Sequence, residues 1–206
     1  MKKLFLLATI CAATTTAWSQ SFQHGVGVGV YIENMDYTDV LVGSTITYSP
    51  RINFAETEKM SISVGIPLTF GYAQNYGETY DYDYNDNNYY SYFKNSVSLL
   101  VDVPVMVNLN LWGGASKLSK QHVGAFIGAG YGYHYVTERK YGGYNQNGDF
   151  IVGSIGGNTF GPSFNGGMRI AVGRRRSKNI EIKMSYYRGI NRDRVDSYGL
   201  GCAFNF

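Results

Sequence analysis

Apolar and polar residues alternate strictly along several stretches of this chain. Between Met60 and Phe70 every even-numbered residue is apolar, and every odd-numbered residue is small or polar. A period of two residues is that of a β-strand whose two faces meet different surroundings. The second face carries too few large apolar side chains to pack against another sheet. The pattern therefore favours a strand with lipid on one face and a lumen on the other.

The same alternation recurs in eight segments of the chain. They are about 23–32, 39–49, 60–70, 96–111, 122–137, 158–172, 180–188 and 197–206. A tilted strand needs about 9–11 residues to cross a bilayer, and these segments meet that length. An even number of strands lets the sheet close without an unpaired edge in lipid. The sequence thus predicts an all-β fold, an eight-stranded antiparallel transmembrane β-barrel.

The connections between the segments differ in length. The segments 71–95 and 138–157 are long and hydrophilic, whereas 50–59, 112–121 and 173–179 are short. Outer-membrane barrels have short periplasmic turns and longer extracellular loops. With the N-terminus in the periplasm, both long connections fall on the extracellular side, so the assignment is consistent with itself.

The first residues have the features of a secretory signal. Lys2 and Lys3 precede a short apolar run, and Ala17 and Ser19 form a small-x-small cleavage site. We therefore expect a cleaved signal peptide at 1–19 and a barrel domain at 20–206. Lipidation at Cys11 is disfavoured because bulky Ile10 stands where a lipoprotein signal has a small residue.

Net charge gives no reason to expect a nucleic-acid partner. The formal charge is +3, and removal of Lys2 and Lys3 lowers it to +1. Cys202 is then the one cysteine left, so no internal disulfide is expected.

Five charged residues have the parity of the lumen face. They are Asp102, His134, Arg169, Glu181 and Lys183. An eight-stranded barrel is just wide enough for side chains to fill its interior. Charges buried there must be paired and hydrogen-bonded. We expect a structural polar network that plugs the lumen, with a narrow ion or proton path as the alternative.

An acidic, tyrosine-rich stretch in the first long connection is a candidate surface-binding loop. Its residues are Tyr80, Asp81, Tyr82, Asp83, Tyr84, Tyr89 and Tyr90. Tyrosine and asparagine supply large, adaptable contact surface in binding loops. The stretch begins like a calcium loop, but Asp86 and Tyr92 stand where that motif has glycine and glutamate. We therefore expect no metal motif, while a loose surface calcium site stays open.

No other motif indicates a cofactor or a catalytic centre. The glycine patterns at 25–29 and 128–132 lie within alternating strands and precede no helix, so they are not phosphate loops. Of three histidines, His134 alone is placed in the lumen near the outer end, without a motif for a nucleophile. We expect no cofactor and no enzyme activity.

The end of the chain carries a family resemblance. The last segment reads Leu200-x-x-x-Phe204-x-Phe206. With the signal and the eight segments, it resembles small outer-membrane β-barrels of Gram-negative bacteria, similar to OmpX and the OmpA membrane domain. The stretches 48–54 and 63–68 are similar to Bacteroidetes outer-membrane barrels. The resemblance implies an outer-membrane location, contact with lipid and lipopolysaccharide, and Phe204 and Phe206 as a signal for the barrel-assembly machinery.

These observations predict a structural or surface-binding role through extracellular loops, of adhesion type, with a protein or glycan as partner. A narrow, porin-like channel for small solutes or ions is the first alternative. A lipid-modifying enzyme that uses His134 is a weaker one. A soluble barrel of lipocalin type is disfavoured by the terminal aromatics and by two outward aromatic belts, one of Tyr131, Tyr133 and Tyr135 and one of Tyr48, Phe204 and Phe206.

Overall fold

The fold is taken from a computed structural model of the chain. It describes residues 21–35, 40–83, 88–116, 119–144, 150–173, 178–190 and 195–206. For 75–83, 88–96, 139–144 and 150–155 the description covers the backbone. The predicted signal peptide at 1–19 lies outside the described residues.

Eleven β-strands, all antiparallel to their partners, make up the described secondary structure. They are β1 (Ser21–Gln23), β2 (Gly25–Met35), β3 (Leu41–Tyr48), β4 (Arg51–Phe54), β5 (Met60–Gly65), β6 (Leu68–Asp83), β7 (Asn88–Trp112), β8 (Val123–Tyr144), β9 (Phe150–Val172), β10 (Lys178–Arg188) and β11 (Val195–Asn205). Within the described ranges, no helix is long and apolar enough to span a membrane.

Eight of these strands close into a ring. Each of β2, β3, β6, β7, β8, β9, β10 and β11 pairs with the next, and β11 pairs back onto β2. The short strands β1, β4 and β5 continue β2, β3 and β6 in unchanged register. Gln23 pairs with Arg51 and, beyond a short break, Val26 pairs with Tyr48. The predicted eight-stranded antiparallel barrel is confirmed.

Two breaks, at 49–50 and 66–67, change the predicted strand boundaries, but they do not change which face of the barrel each residue lies on. The predicted strand 60–70 is β5 and the start of β6, interrupted at Ile66 and Pro67. The turn predicted at 50–59 is shorter, because β4 resumes after Ser49 and Pro50. Proline has no backbone N–H to donate to the ladder, which explains why both breaks contain one.

The distribution of apolar side chains is inside out. Val28, Ile127 and Met184 lie on the outer surface with exposed fractions of 65%, 66% and 68%. Most inward residues of the barrel strands are polar or small, and Asn110 and His134 are fully buried. Soluble monomers rarely expose continuous apolar surface of this kind. The alternation in the sequence thus separates an apolar exterior from a polar interior.

The two ends of the barrel are built differently. His24 and Phe206 exchange two backbone hydrogen bonds of 3.0 and 2.8 Å, so both ends of the described chain meet at one rim, the terminal end. At the opposite rim, the hairpin end, β6 and β7 stay paired as far as Asp83 with Asn88. Likewise β8 and β9 stay paired as far as Tyr144 with Phe150.

These hairpins occupy most of the two segments interpreted as long loops. Tyr80, Asp81, Tyr82 and Asp83 belong to β6, and Tyr89 and Tyr90 belong to β7. Tyr84 lies outside the described residues. Their hydrophilic composition wrongly indicated loops. Tyrosine has a high strand propensity, and cross-strand pairing offsets the low strand propensity of the aspartates and asparagines.

Candidate functional site

The terminal half of the lumen holds a buried ionic network around Glu181. Its Oε2 accepts a hydrogen bond from Arg51 Nη1 at 3.0 Å and one from Arg169 Nε at 2.7 Å. Arg51 also donates to Gln23 Oε1 at 2.8 and 3.1 Å, and Arg169 Nη1 donates to Asn110 Oδ1 at 2.5 Å. The network ties β1, β4, β7, β9 and β10 together across the barrel.

A second feature of this network is its apolar and amide surroundings. The Arg169 guanidinium lies 4.2 Å from the centre of the Phe126 ring, a cation–π contact. Asn205 Nδ2 donates to Asn179 Oδ1 at 2.7 Å and to Glu181 Oε2 at 3.3 Å. Both arginines are at least 96% buried, so their charges interact in an environment of low polarity.

The turn after β7 folds over the terminal mouth. The Ser61 hydroxyl donates to the Ala115 carbonyl, and Ser116 Oγ donates to the Thr57 carbonyl at 2.6 Å. Gly114 has a φ of +70°, and a Cβ there would lie 3.2 Å from Asn179 Nδ2. The turn and the ionic network together close this end of the lumen.

A central chamber of about 80 Å³ lies above the network. Apolar residues such as Leu100 and Met106 form much of its lining, and hydroxyl and charged groups contribute the rest, among them Thr45, Thr47, Thr69, Asp102, Ser163 and Lys183. A water needs roughly 10–15 Å³ of such space, so the chamber has room for several waters.

His134 lies between two carboxylates on the far side of the chamber. Its Nε2 is 3.6 Å from Glu33 Oε2, and its Nδ1 is 3.6 Å from Asp102 Oδ1. The ring stacks on Tyr187 with centroids 4.6 Å apart and an interplanar angle of 15°. Tyr187 in turn shares a 2.7 Å hydrogen bond with Thr159. Because Glu33 is on β2 and His134 on β8, the pair crosses the lumen.

An apolar layer closes the lumen at the hairpin end. Its members are buried inward-facing residues of six strands: Tyr31, Met35, Leu41, Ala73, Leu100, Val136 and Val195. Glu33 is fully buried among them. Among the described residues, the ionic network thus lies on the terminal side of the chamber and the apolar layer on its hairpin side.

The structure divides the predicted lumen set into separate groups. Arg169 and Glu181 form an ion pair in the terminal half, and Asp102 contacts His134 in the hairpin half. Lys183 lines the chamber between them. All five side chains face the interior, but they do not form one network.

Two central members of these groups, Arg51 and Glu33, were missing from the predicted set. Both had been assigned to connections, at 50–59 and after the first strand. The sequence did contain a signal for both residues. Each is odd-numbered, like the inward residues of its strand, and lies just beyond the predicted strand end. Extending the alternation across Pro50 would have identified Arg51.

Beyond the barrel, the two hairpins become separate ribbons. Pairing of β6 with β3 ends at Tyr72, and pairing of β7 with β8 ends at Leu100. At Leu99 the backbone N–H donates instead to Thr137 Oγ1 at 2.9 Å. Past these points, none of the described strands pairs with the outer edge of β6 or with the facing edges of β7 and β8.

The C-terminal aromatics lie at the outer face of the terminal rim. Phe206 stacks on His24 with centroids 5.8 Å apart, and His24 Nδ1 is 2.6 Å from the Tyr48 hydroxyl. Phe204 and Phe206 are 41% and 50% exposed. Tyr131, at the other end of the apolar band, is 51% exposed, so aromatic side chains mark both borders.

Comparison with solved structures concerns the fold. Neisserial surface protein A (NspA) superposes with a TM-score of 0.54 and 11% identity, over 91% of this chain and 97% of that one. The outer membrane enzyme PagL matches with a TM-score of 0.46 and 12% identity, over 88% of this chain and 97% of that one. Ail, the attachment invasion locus protein of Yersinia pestis, matches with a TM-score of 0.41 and 11% identity, over 89% of this chain and 98% of that one. No family model and no curated protein matches the chain.

The resemblance predicted from the sequence is confirmed at the level of the fold. Three observations support this fold: eight antiparallel strands close into a ring, apolar side chains cover the outside, and the chain superposes on NspA. This chain therefore has the fold of the small eight-stranded outer-membrane β-barrels.

Proposed function

We propose that the protein resides in an outer membrane, with lipid covering its apolar exterior. Support comes from outward side chains such as Val28 and Ile127, which are more than half exposed, and from the aromatic residues at both borders of the band. The protein sharing its fold, NspA, is a surface protein. On this proposal Phe204 and Phe206 serve barrel assembly before the rim closes, and the hairpin end faces the exterior.

Its function on this proposal is to bind an extended segment of an extracellular protein at the hairpin end. The observation that carries it is the pair of ribbons, whose edges on β6, β7 and β8 pair with none of the strands that the structure describes. Unpaired strand edges are templates for an added strand, which gains main-chain hydrogen bonds. The closed ring of eight paired strands below supplies a base for such an interaction.

The test uses the barrel in lipid nanodiscs and a library of short peptides. In the variant, residues 77–94 are replaced by Asn-Gly, so that a two-residue turn closes the ribbon after the Tyr76–Asn95 pair. We expect peptides bound by the wild type to lose affinity for this variant, and to lose it again when their backbones are N-methylated. Binding that survives N-methylation would point to recognition of side chains or glycans and refute strand addition.

A narrow channel is the second candidate, favoured by the polar chamber. Against it stand the ionic network with the turn at 112–116 on one side and the apolar layer on the other. On our proposal, refolded protein in a planar bilayer gives no discrete current steps, and reproducible steps would favour the channel instead.

We further propose that the protein is not an enzyme. His134, the base that a lipid-modifying activity would need, is fully buried beneath the apolar layer and stacked on Tyr187. Assays for release of fatty acid from lipopolysaccharide should show no turnover, and turnover that His134→Ala abolishes would overturn this part of the proposal.

A further inference from the structure

Positive charge exceeds negative charge in the terminal half of the lumen. A small cavity of about 20 Å³ there is lined by Arg51, Arg169 and Lys183, and by the single carboxylate of Glu181. Both arginines bond to the same oxygen of that carboxylate, Oε2. Three cations thus share one anion among the described residues lining this cavity.

Two of these three cations, the arginines, are buried, and Lys183 is partly exposed. Arg51 and Arg169 are 4% and 2% exposed and repel each other. The Asp102 carboxylate lies on the chamber wall, with Oδ1 3.6 Å from His134 Nδ1, and Glu56 Oε1 accepts a hydrogen bond from Ser21 Oγ. Buried charges are costly unless they are paired, so this arrangement calls for a further negative partner.

Two amides complete the lining of the cavity. A Cβ on Gly128 would lie 1.9 Å from Asn108 Oδ1 and 2.5 Å from Asn165 Oδ1, so the two oxygens converge above this glycine. Neither oxygen has a hydrogen-bond partner, and Asn108 is 93% buried. Rotation of either amide by a half turn presents its Nδ2 donors at the same place.

We propose that this cavity is a binding site for a small monovalent anion of halide type. Arg51, Arg169 and Lys183 supply the charge, and the turned amides of Asn108 and Asn165 supply neutral donors. The volume is enough for one water or an ion of similar size. The Asn108 and Asn165 amides occupy the space above Gly128, which a larger residue there would deny them.

The site is tested on wild-type protein refolded and crystallised in sodium bromide. We expect an anomalous bromide peak between Arg51, Arg169 and Lys183. In solution, the thermal unfolding midpoint in detergent should be higher in chloride than in gluconate at equal ionic strength. A titration of chloride into gluconate gives the apparent affinity.

Variants that each remove one charge separate this site from general salt effects. Lys183→Gln removes one cation and should weaken chloride binding about tenfold or more, whereas Glu181→Gln removes the competing carboxylate and should strengthen it. The matched control is Lys120→Gln, which removes an exposed lysine outside the lumen and should leave the affinity unchanged.

The wild-type crystal decides the question even if a variant does not fold. Density without anomalous signal, together with equal midpoints in chloride and gluconate, would mean that water alone fills the cavity and would overturn the proposal. Equal weakening by Lys183→Gln and Lys120→Gln would also overturn it, because the salt effect would then come from the surface.

Discussion

Glu181 is the shared acceptor of two buried arginines, so its removal leaves both without their counterion. In Glu181→Ala, Arg51 Nη1 and Arg169 Nε lose bonds of 3.0 and 2.7 Å, and Asn205 Nδ2 loses a weaker one of 3.3 Å. Breaking a buried ion pair on one side typically costs about 3–5 kcal/mol. We expect a loss of that order in the free energy of unfolding.

The matched control is Glu58→Ala. Glu58 also pairs with a cation, Lys120, at 3.1 Å, but the two side chains are 63% and 80% exposed. Exposed pairs contribute about 0–1 kcal/mol because water screens them. The two variants therefore remove the same side chain from a buried and from an exposed ion pair, and we expect the loss of unfolding free energy to be larger for Glu181→Ala.

The assay is urea unfolding of protein refolded into lipid vesicles, in a halide-free buffer so that no added anion replaces the carboxylate. Trp112 fluorescence reports unfolding, since Trp112 is 47% exposed at the terminal end of β7, where it pairs with Gly124, and Trp18 belongs to the predicted signal peptide. Equal losses in Glu181→Ala and Glu58→Ala would refute the argument that the network stabilises the closed barrel.

Three further predictions follow from the inside-out surface and the closed lumen. Val28→Arg should cost about 1–4 kcal/mol in lipid vesicles, because Val28 is 65% exposed on the apolar outer face and the cost of a lipid-facing arginine rises from the border to the bilayer midplane. A loss under about 0.5 kcal/mol, typical of a water-exposed site, would contradict lipid contact there. Trp112 fluorescence should be quenched by brominated lipid, and no quenching would mean that this end of β7 faces water. Leu100→Ala, in the buried apolar layer, should cost about 2–5 kcal/mol, with urea unfolding as the measure and Leu99→Ala on the exposed face as the smaller comparison.

The alternation of residues was sufficient to predict the strands and their faces. Parity is a local property: once a strand forms, neighbouring side chains must point to opposite sides. It placed Val28 outside and Asn110 inside, as observed. Strand ends were predicted less accurately. Proline and runs of polar residues were interpreted as the ends of strands, but pairing with the neighbouring strand continues past them.

Parity cannot say which inward residues meet across the lumen. Arg51 and Glu181 are 130 residues apart in sequence, and Glu33 reaches His134 from a strand that is not its neighbour. Their contact depends on the tilt and stagger of the strands, which only closure of the whole sheet fixes.

The sequence by itself thus determined a closed, apolar-faced barrel with charges in its interior, because two-residue periodicity and strand number are readable locally. The tertiary structure alone decided that those charges separate into a cationic terminal half and a carboxylate–histidine hairpin half. It also decided that the turn after β7 bonds to β5 at one end of the lumen, that an apolar layer lies at the other, and that the tyrosine-rich segments pair as ribbons. The grouping of the charges and the apolar layer depend on contacts between strands far apart in the sequence, which form only when the barrel closes. The ribbons depend on the register of consecutive strands.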